Sequence, residues 1–147
     1  MTLTRISLST AAPKLYRALD ALDSSVEFDP NLIDLIKLRA SQINGCGYCV
    51  DYHSGDAVRQ GQDRRRVWAI SAWRETDFFD QREQAALALT EALTDLSRDG
   101  VPDEVYLEAA RHFPDAELAN LIGAIIAINA WNRVGVGLAL RPAPLEA

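Results

Sequence analysis

Sulfur and imidazole are scarce in this chain: its 147 residues include two cysteines, one methionine and two histidines. Two cysteines exclude a disulfide-rich scaffold. They stand only three positions apart, so a bridge between them would close too small a loop to add much global stability. Basic charge is also in deficit. Fifteen Lys and Arg against 21 Asp and Glu leave a net charge of -6, which excludes the basic footprint of a general nucleic-acid or anionic-membrane binder. Long apolar runs are missing too. The longest stretch, "LIGAIIAINAW", falls short of a bilayer span and is followed by Asn132 and Arg133. The beginning, "MTLTRISLSTAAPKLY", lacks the apolar centre of a signal peptide. The expectation is a soluble, cytoplasmic protein, where a cysteine pair normally rests as two thiols and a disulfide is transient and functional.

Strand-type alternation, internal repeats, low-complexity tracts and dividing linkers are absent as well, so residues 1–147 are expected to form one domain. What is present is helical periodicity punctuated by Gly and Pro. The first helix is predicted from about Ala11 to Ser24, capped by Thr10. The second opens at Asp29-Pro30 and stops at Gly45. A third carries "CGYCVDYHSGDAVRQ" to Gly61, and Asp63 caps a fourth over "RRRVWAISAW". Asp80 with Glu83 has the form of a capping box for the fifth. Pro102 begins a sixth. Pro114 begins the last and longest, to about Leu138, which is apolar nearly all round and therefore expected at the centre. The fold class is all-α, a bundle of six to seven helices.

Reactive side chains concentrate in one place, "INGCGYCVDYHSG". Cys46, Cys49 and His53 follow one another at intervals of three and four, so on a helix they share a face. Cys46 is expected in the first turn after Gly45, where free N–H groups and the positive helix end favour a thiolate. Three readings compete. Buried thiols can be plain core. A zinc site wants four ligands, and this region offers the pair, one histidine and, among nearby carboxylates, Asp34. Dithiol–disulfide chemistry needs a nucleophilic thiolate, a resolving thiol and a group that manages protons, and all three are present.

The segment "LIDLIKLRASQINGCGYCVDYHSGDAVRQG", together with "NAWNR", resembles the AhpD-like alkylhydroperoxidases of the carboxymuconolactone decarboxylase superfamily. Their motif is an acidic residue, eleven residues, then Cys-x-x-Cys-x-x-x-His. Asp34, Cys46, Cys49 and His53 fit it, with Asp34 where glutamate is usual and Tyr48 where the prototype has histidine. The likeness covers roughly residues 10 to 140 by layout and is specific in the core at 30–61. It implies an all-helical trimer or hexamer with no bound cofactor and no metal. It also implies a hydroperoxide substrate and an external dithiol or thioredoxin-like reductant. Cys49 would be the peroxidatic thiolate and Cys46 the proton donor and resolving thiol, with His53 and Asp34 as proton relay. Helix position alone would instead favour Cys46 as the more acidic thiol. At about 1.5 Å rise per residue, Asp34 and His53 lie at similar depth if their helices pack antiparallel, and a water could complete a relay through the shorter aspartate. The alternatives are a cysteine-independent decarboxylase, against which the "CGYC" pair counts, and a redox sensor that oxidises once without turnover.

Other candidates carry less. Ser54 faces away from His53 and forms no triad. Arg64, Arg65 and Arg66 are expected on a solvated face. Tyr48 and Tyr52 are packing residues, Tyr48 with a place on the pocket wall. Asn132 and Arg133, polar in an apolar helix, need partners in loop carbonyls or a subunit interface. Gly135-x-Gly137 follows no strand and is no nucleotide fingerprint. Three tryptophans and the apolar last helix suggest more apolar surface than one small bundle hides, hence a homo-oligomer.

Overall fold

The computed structural model describes residues 4–145 and contains only helices and connecting turns among them. The order is α1 (Leu8–Ala11), α2 (Pro13–Ser24), α3 (Pro30–Ile43), α4 (Gly47–Arg59), α5 (Arg64–Ala69), a 3₁₀ segment (Ile70–Glu75), α6 (Gln81–Thr94), α7 (Asp103–His112) and α8 (Asp115–Gly137). No helix among the described residues is long and apolar enough to cross a membrane.

Three of the expected caps form. The Asp29 side chain accepts from the Asn31 amide and opens α3, and the Asp63 side chain accepts from the Arg65 amide and opens α5. Asp80 and Glu83 bond reciprocally, at 2.8 and 2.9 Å, as a capping box. Gly45 ends α3 with φ +66° and Gly61 follows α4 with φ +97°, the left-handed conformation that glycine adopts without strain.

The expected first helix starts at Pro13 rather than Ala11, and a separate short α1 precedes it. Pro13 has no N–H and pushes the preceding residue out of the helical region; Ala12 sits at φ -141°, ψ 67°. Thr10 therefore lies inside α1 and caps nothing. The fourth helix also breaks early: α5 gives way to the 3₁₀ segment, with non-helical geometry at Ala72. The Arg64–Arg66 run is not uniformly solvated. Arg66 pairs with Glu83 and lies over the Phe79 ring, 4.9 Å from its centroid.

α3 and α4 form a helical hairpin on the short turn 44–46. α8 runs against α2, α3, α4, α6 and α7, the central position expected for it. The core gathers Leu35, Ile36, Ile70, Leu87, Phe113 and Leu121. This leaves the N-terminal end of α4 facing the C-terminal part of α8, where the site lies.

Candidate active site

The α3–α4 turn is held from beneath by buried polar side chains. Asn132, fully buried on α8, donates to the Ser41 hydroxyl at 2.9 Å and accepts from the Asn44 amide at 2.9 Å. Asn44 also donates to Asn129, which donates to Thr94 on α6. The Ser41 carbonyl then accepts the Cys46 amide at 3.0 Å. Asn132 thus finds side-chain partners in the last turn of α3 and in the turn after it, rather than the loop carbonyls or subunit interface expected. Arg133 turns back to the Asn129 carbonyl of its own helix. A buried network with each member paired fixes one geometry, and here it fixes the turn that delivers the cysteines.

Cys46 is the N-cap of α4, one position before the first turn in which it was expected. Its Sγ accepts from the Cys49 amide at 3.4 Å. The helix-end argument for an anion therefore still applies to it. Cys46 and Cys49 are bonded to each other, with Cα atoms 5.3 Å apart. Both are buried, at 2% and 6% exposure, but they differ in access. Cys49 lines a cavity of about 580 Å³ together with His53, Tyr48 and Tyr52, whereas Cys46 lies behind it and contributes no wall.

Asp34 reaches the site from α3. Its carboxylate Oδ1 is 3.5 Å from His53 Nδ1, and both side chains are largely buried, at 13% and 12% exposure. Asp34 and His53 therefore meet at the common depth expected. At this distance the pair is close without being hydrogen-bonded, and His53 Nδ1 is left buried with no partner. Catalytic hydrogen bonds are often long in a resting enzyme and tighten on substrate. The His53 ring stands edge-on to Tyr52, centroids 5.1 Å apart. The Asp56 carboxylate, followed by partial burial and Tyr48, pushes the Tyr52 phenol above its usual range.

A cation could find three ligand atoms in Asp34, His53 and Asp56, which lie within 4.8 Å of one another. Asp56 is already engaged by the Arg59 guanidinium, and the two sulfurs bond each other. The donor set is thus a weak match for zinc, which wants four free ligands.

Gly135 is the site residue that the sequence reading missed. A Cβ built there would stand 2.6 Å from Cys46 Sγ and 3.4 Å from Cys49 Sγ. Glycine inside a helix costs about 1 kcal/mol relative to alanine, so its place in α8 asked for a packing reason, and the sulfur pair supplies it. Gly135→Ala is expected to destabilise the oxidised protein by about 1–3 kcal/mol through overpacking and to slow closure of the disulfide. A denaturation midpoint and a thiol titration check this. Wild-type values in both would show that α8 does not press on the pair.

Residues 12–92, just over half of the chain, match the carboxymuconolactone decarboxylase family. The uncharacterized protein YdfG of Bacillus subtilis (strain 168) is 34% identical over 142 residues, covering 95% of this chain and 97% of that one. Among solved structures, a protein of unknown function from Agrobacterium tumefaciens, described as a candidate antioxidant-defence protein AhpD, superposes with a TM-score of 0.92. It is 37% identical, with 98% of this chain and 100% of that chain covered. The apo debrominase Bmp8 gives a TM-score of 0.78 at 25% identity, with 94% and 74% covered.

Proposed function

Because the chain belongs to the carboxymuconolactone decarboxylase family and has the AhpD-like fold, we propose that it is a thiol peroxidase working through a Cys46–Cys49 dithiol–disulfide cycle. The observation that carries this reading is the bonded Cys46–Cys49 pair, of which Cys49 opens with His53 onto the wall of a cavity. The Cys49 thiol gives its proton to His53. The thiolate attacks the distal oxygen of a hydroperoxide, the O–O bond breaks, and an S–O bond forms. The departing alkoxide takes the proton from His53 and leaves as alcohol. The Cys46 thiol then attacks the sulfenic acid sulfur, an S–S bond replaces the S–O bond, and hydroxide with the Cys46 proton leaves as water. An external dithiol, free or on a thioredoxin-like protein, returns two electrons and two protons.

Cys49 is taken as the nucleophile on access, because Cys46 lies behind it. Asp34 orients the His53 ring and stabilises its cation. A reducing, cytoplasmic setting suits such a cycle. Exposed Trp68 (73%) and Leu107 (53%) are apolar surface that a homo-oligomer would cover, and the family resemblance makes that a trimer or hexamer.

The test is turnover. Protein kept reduced by excess dithiothreitol is expected to consume many equivalents of an organic hydroperoxide above the uncatalysed rate. Consumption that stops at one equivalent per chain would identify a sensor. None at all, with both thiols intact, would leave the cysteine-independent decarboxylase reading.

A further inference from the structure

The wall of the Cys49 cavity is not held equally firmly all round. α4 and α8 are rooted in the interior by buried residues, among them Ala57, Ile128 and Asn132. α2 is pinned by Tyr16, edge-on to Trp131 with centroids 5.5 Å apart, and by Asp23, paired with Lys37 at 2.7 Å. Most of the remaining wall is the stretch from Arg5 to Ser9. No residue from 4 to 12 is buried, and Ile6 on the wall is 64% exposed.

The hydrogen bonds inside this stretch are local. The Ala11 and Ala12 amides donate to the Ser7 and Leu8 carbonyls, and the Ser7 hydroxyl pairs with those of Ser9 and Thr10. Among the described residues, 4–11 are hydrogen-bonded to the rest of the chain only through Arg5. Its Nη1 donates to the Gly137 carbonyl at 2.6 Å and the Val136 carbonyl at 3.4 Å. A cation is favoured there, at the negative end of the longest helix. That helix end also closes without Arg5: the Leu140 amide donates to the Gly135 carbonyl at 2.9 Å and the Ala139 amide to the Val136 carbonyl at 3.1 Å. Arg5 therefore holds the N-terminal stretch to α8, while α8 does not depend on Arg5. At the other end of the stretch, Ala12 is non-helical ahead of Pro13, which separates α1 from α2. A segment with no buried residue, one latch and a break behind it belongs to the part of a protein that opens locally at low cost.

We infer that residues 4–12 are a hinged cover over Cys49, latched by Arg5 to the end of α8 and turning at Ala12–Pro13, which a dithiol carried on a protein must displace to reach the disulfide. Exchange needs the incoming thiolate at Cys49 Sγ, in line with the Cys46–Cys49 bond. A bond from the reductant sulfur to Cys49 forms, the Cys46–Cys49 bond breaks, and Cys46 leaves as thiolate and takes up a proton. The reductant's second thiol then closes the reductant's own disulfide and releases Cys49. Cys49 is 6% exposed and Cys46 2%. A thiol on a folded domain cannot make this approach while the wall is in place, whereas a free dithiol fits a cavity of about 580 Å³. The inference concerns access to the sulfur pair and rests on that pair, not on the peroxidase reading.

The test compares reductants of different size. Oxidised wild-type and Arg5→Met proteins are each reduced by dithiothreitol and by reduced thioredoxin, and the disulfide remaining is followed by quenching and mass. Methionine keeps a long unbranched side chain and removes the donor. Arg5→Met is expected to raise the thioredoxin rate about tenfold or more, the scale of a hydrogen bond from a charged group in an opening equilibrium, and to leave the dithiothreitol rate within about twofold. Alkylation of the reduced proteins reads the same opening without exchange chemistry: a maleimide on a polyethylene glycol chain should gain on iodoacetamide by a similar factor in Arg5→Met. Size ratios unmoved by the substitution, or equal acceleration with small and large reagents, would overturn the cover. Neither result bears on the peroxidase reading, which fails instead if organic hydroperoxide is not turned over.

Discussion

Cys49→Ser is expected to abolish peroxide consumption completely. A serine hydroxyl is almost never ionised at neutral pH, and its oxygen cannot accept a further oxygen as sulfur does in a sulfenic acid. The substitution is nearly isosteric and sits at a buried position, so the fold should survive it, and loss of the disulfide itself costs little because the loop it closes is so short. The expected pattern is therefore zero turnover with a near-wild-type helical spectrum. Residual turnover above a few per cent of wild type would mean that Cys46 reaches peroxide by itself, against its position behind Cys49.

His53→Gln is expected to lower the rate of the first oxidation by about 10²–10⁴-fold, the usual contribution of a positioned general acid–base group. Glutamine can still hydrogen-bond but cannot carry the thiol proton to the leaving alkoxide. Asp34 acts through His53, 3.5 Å from its Nδ1, so Asp34→Asn should cost less than His53→Gln, and in the His53→Gln background it should cost little more. Stopped-flow oxidation of the reduced proteins measures all three. Full additivity of the two substitutions would show that Asp34 works independently of the histidine.

Much of the site was legible because it is local. Cys46, Cys49 and His53 sit on one helix at spacings that helical geometry alone brings to one face, and the caps at Asp29, Asp63 and Asp80 are short-range signals that tertiary packing left intact. Asp34 came from the family motif, and the rise along two antiparallel helices showed only that it could reach the depth of His53. What escaped was tertiary. Gly135 is close to the sulfurs only because α8 crosses the end of the α3–α4 hairpin, and no spacing rule links position 135 to position 46. The partners of Asn132 were visible as a need but not as an identity, since Ser41 and Asn44 lie about ninety residues away in sequence. The cavity wall built from Tyr16, Asp20 and Arg5 depends on where α2 docks against α8, which Pro13 influences by separating α1 from α2.

Intact mass after a brief pulse of organic hydroperoxide tests the central claim most directly. The wild-type protein, starting reduced, should lose about two mass units as the disulfide forms. Cys46→Ser should gain about sixteen, because Cys49 becomes a sulfenic acid with no thiol to resolve it, and Cys49→Ser should be unchanged. An exchange of outcomes between the two serine variants would make Cys46 the nucleophile, as its place at the N-terminus of α4 favours on electrostatic grounds. An unchanged wild-type mass would contradict the dithiol cycle altogether.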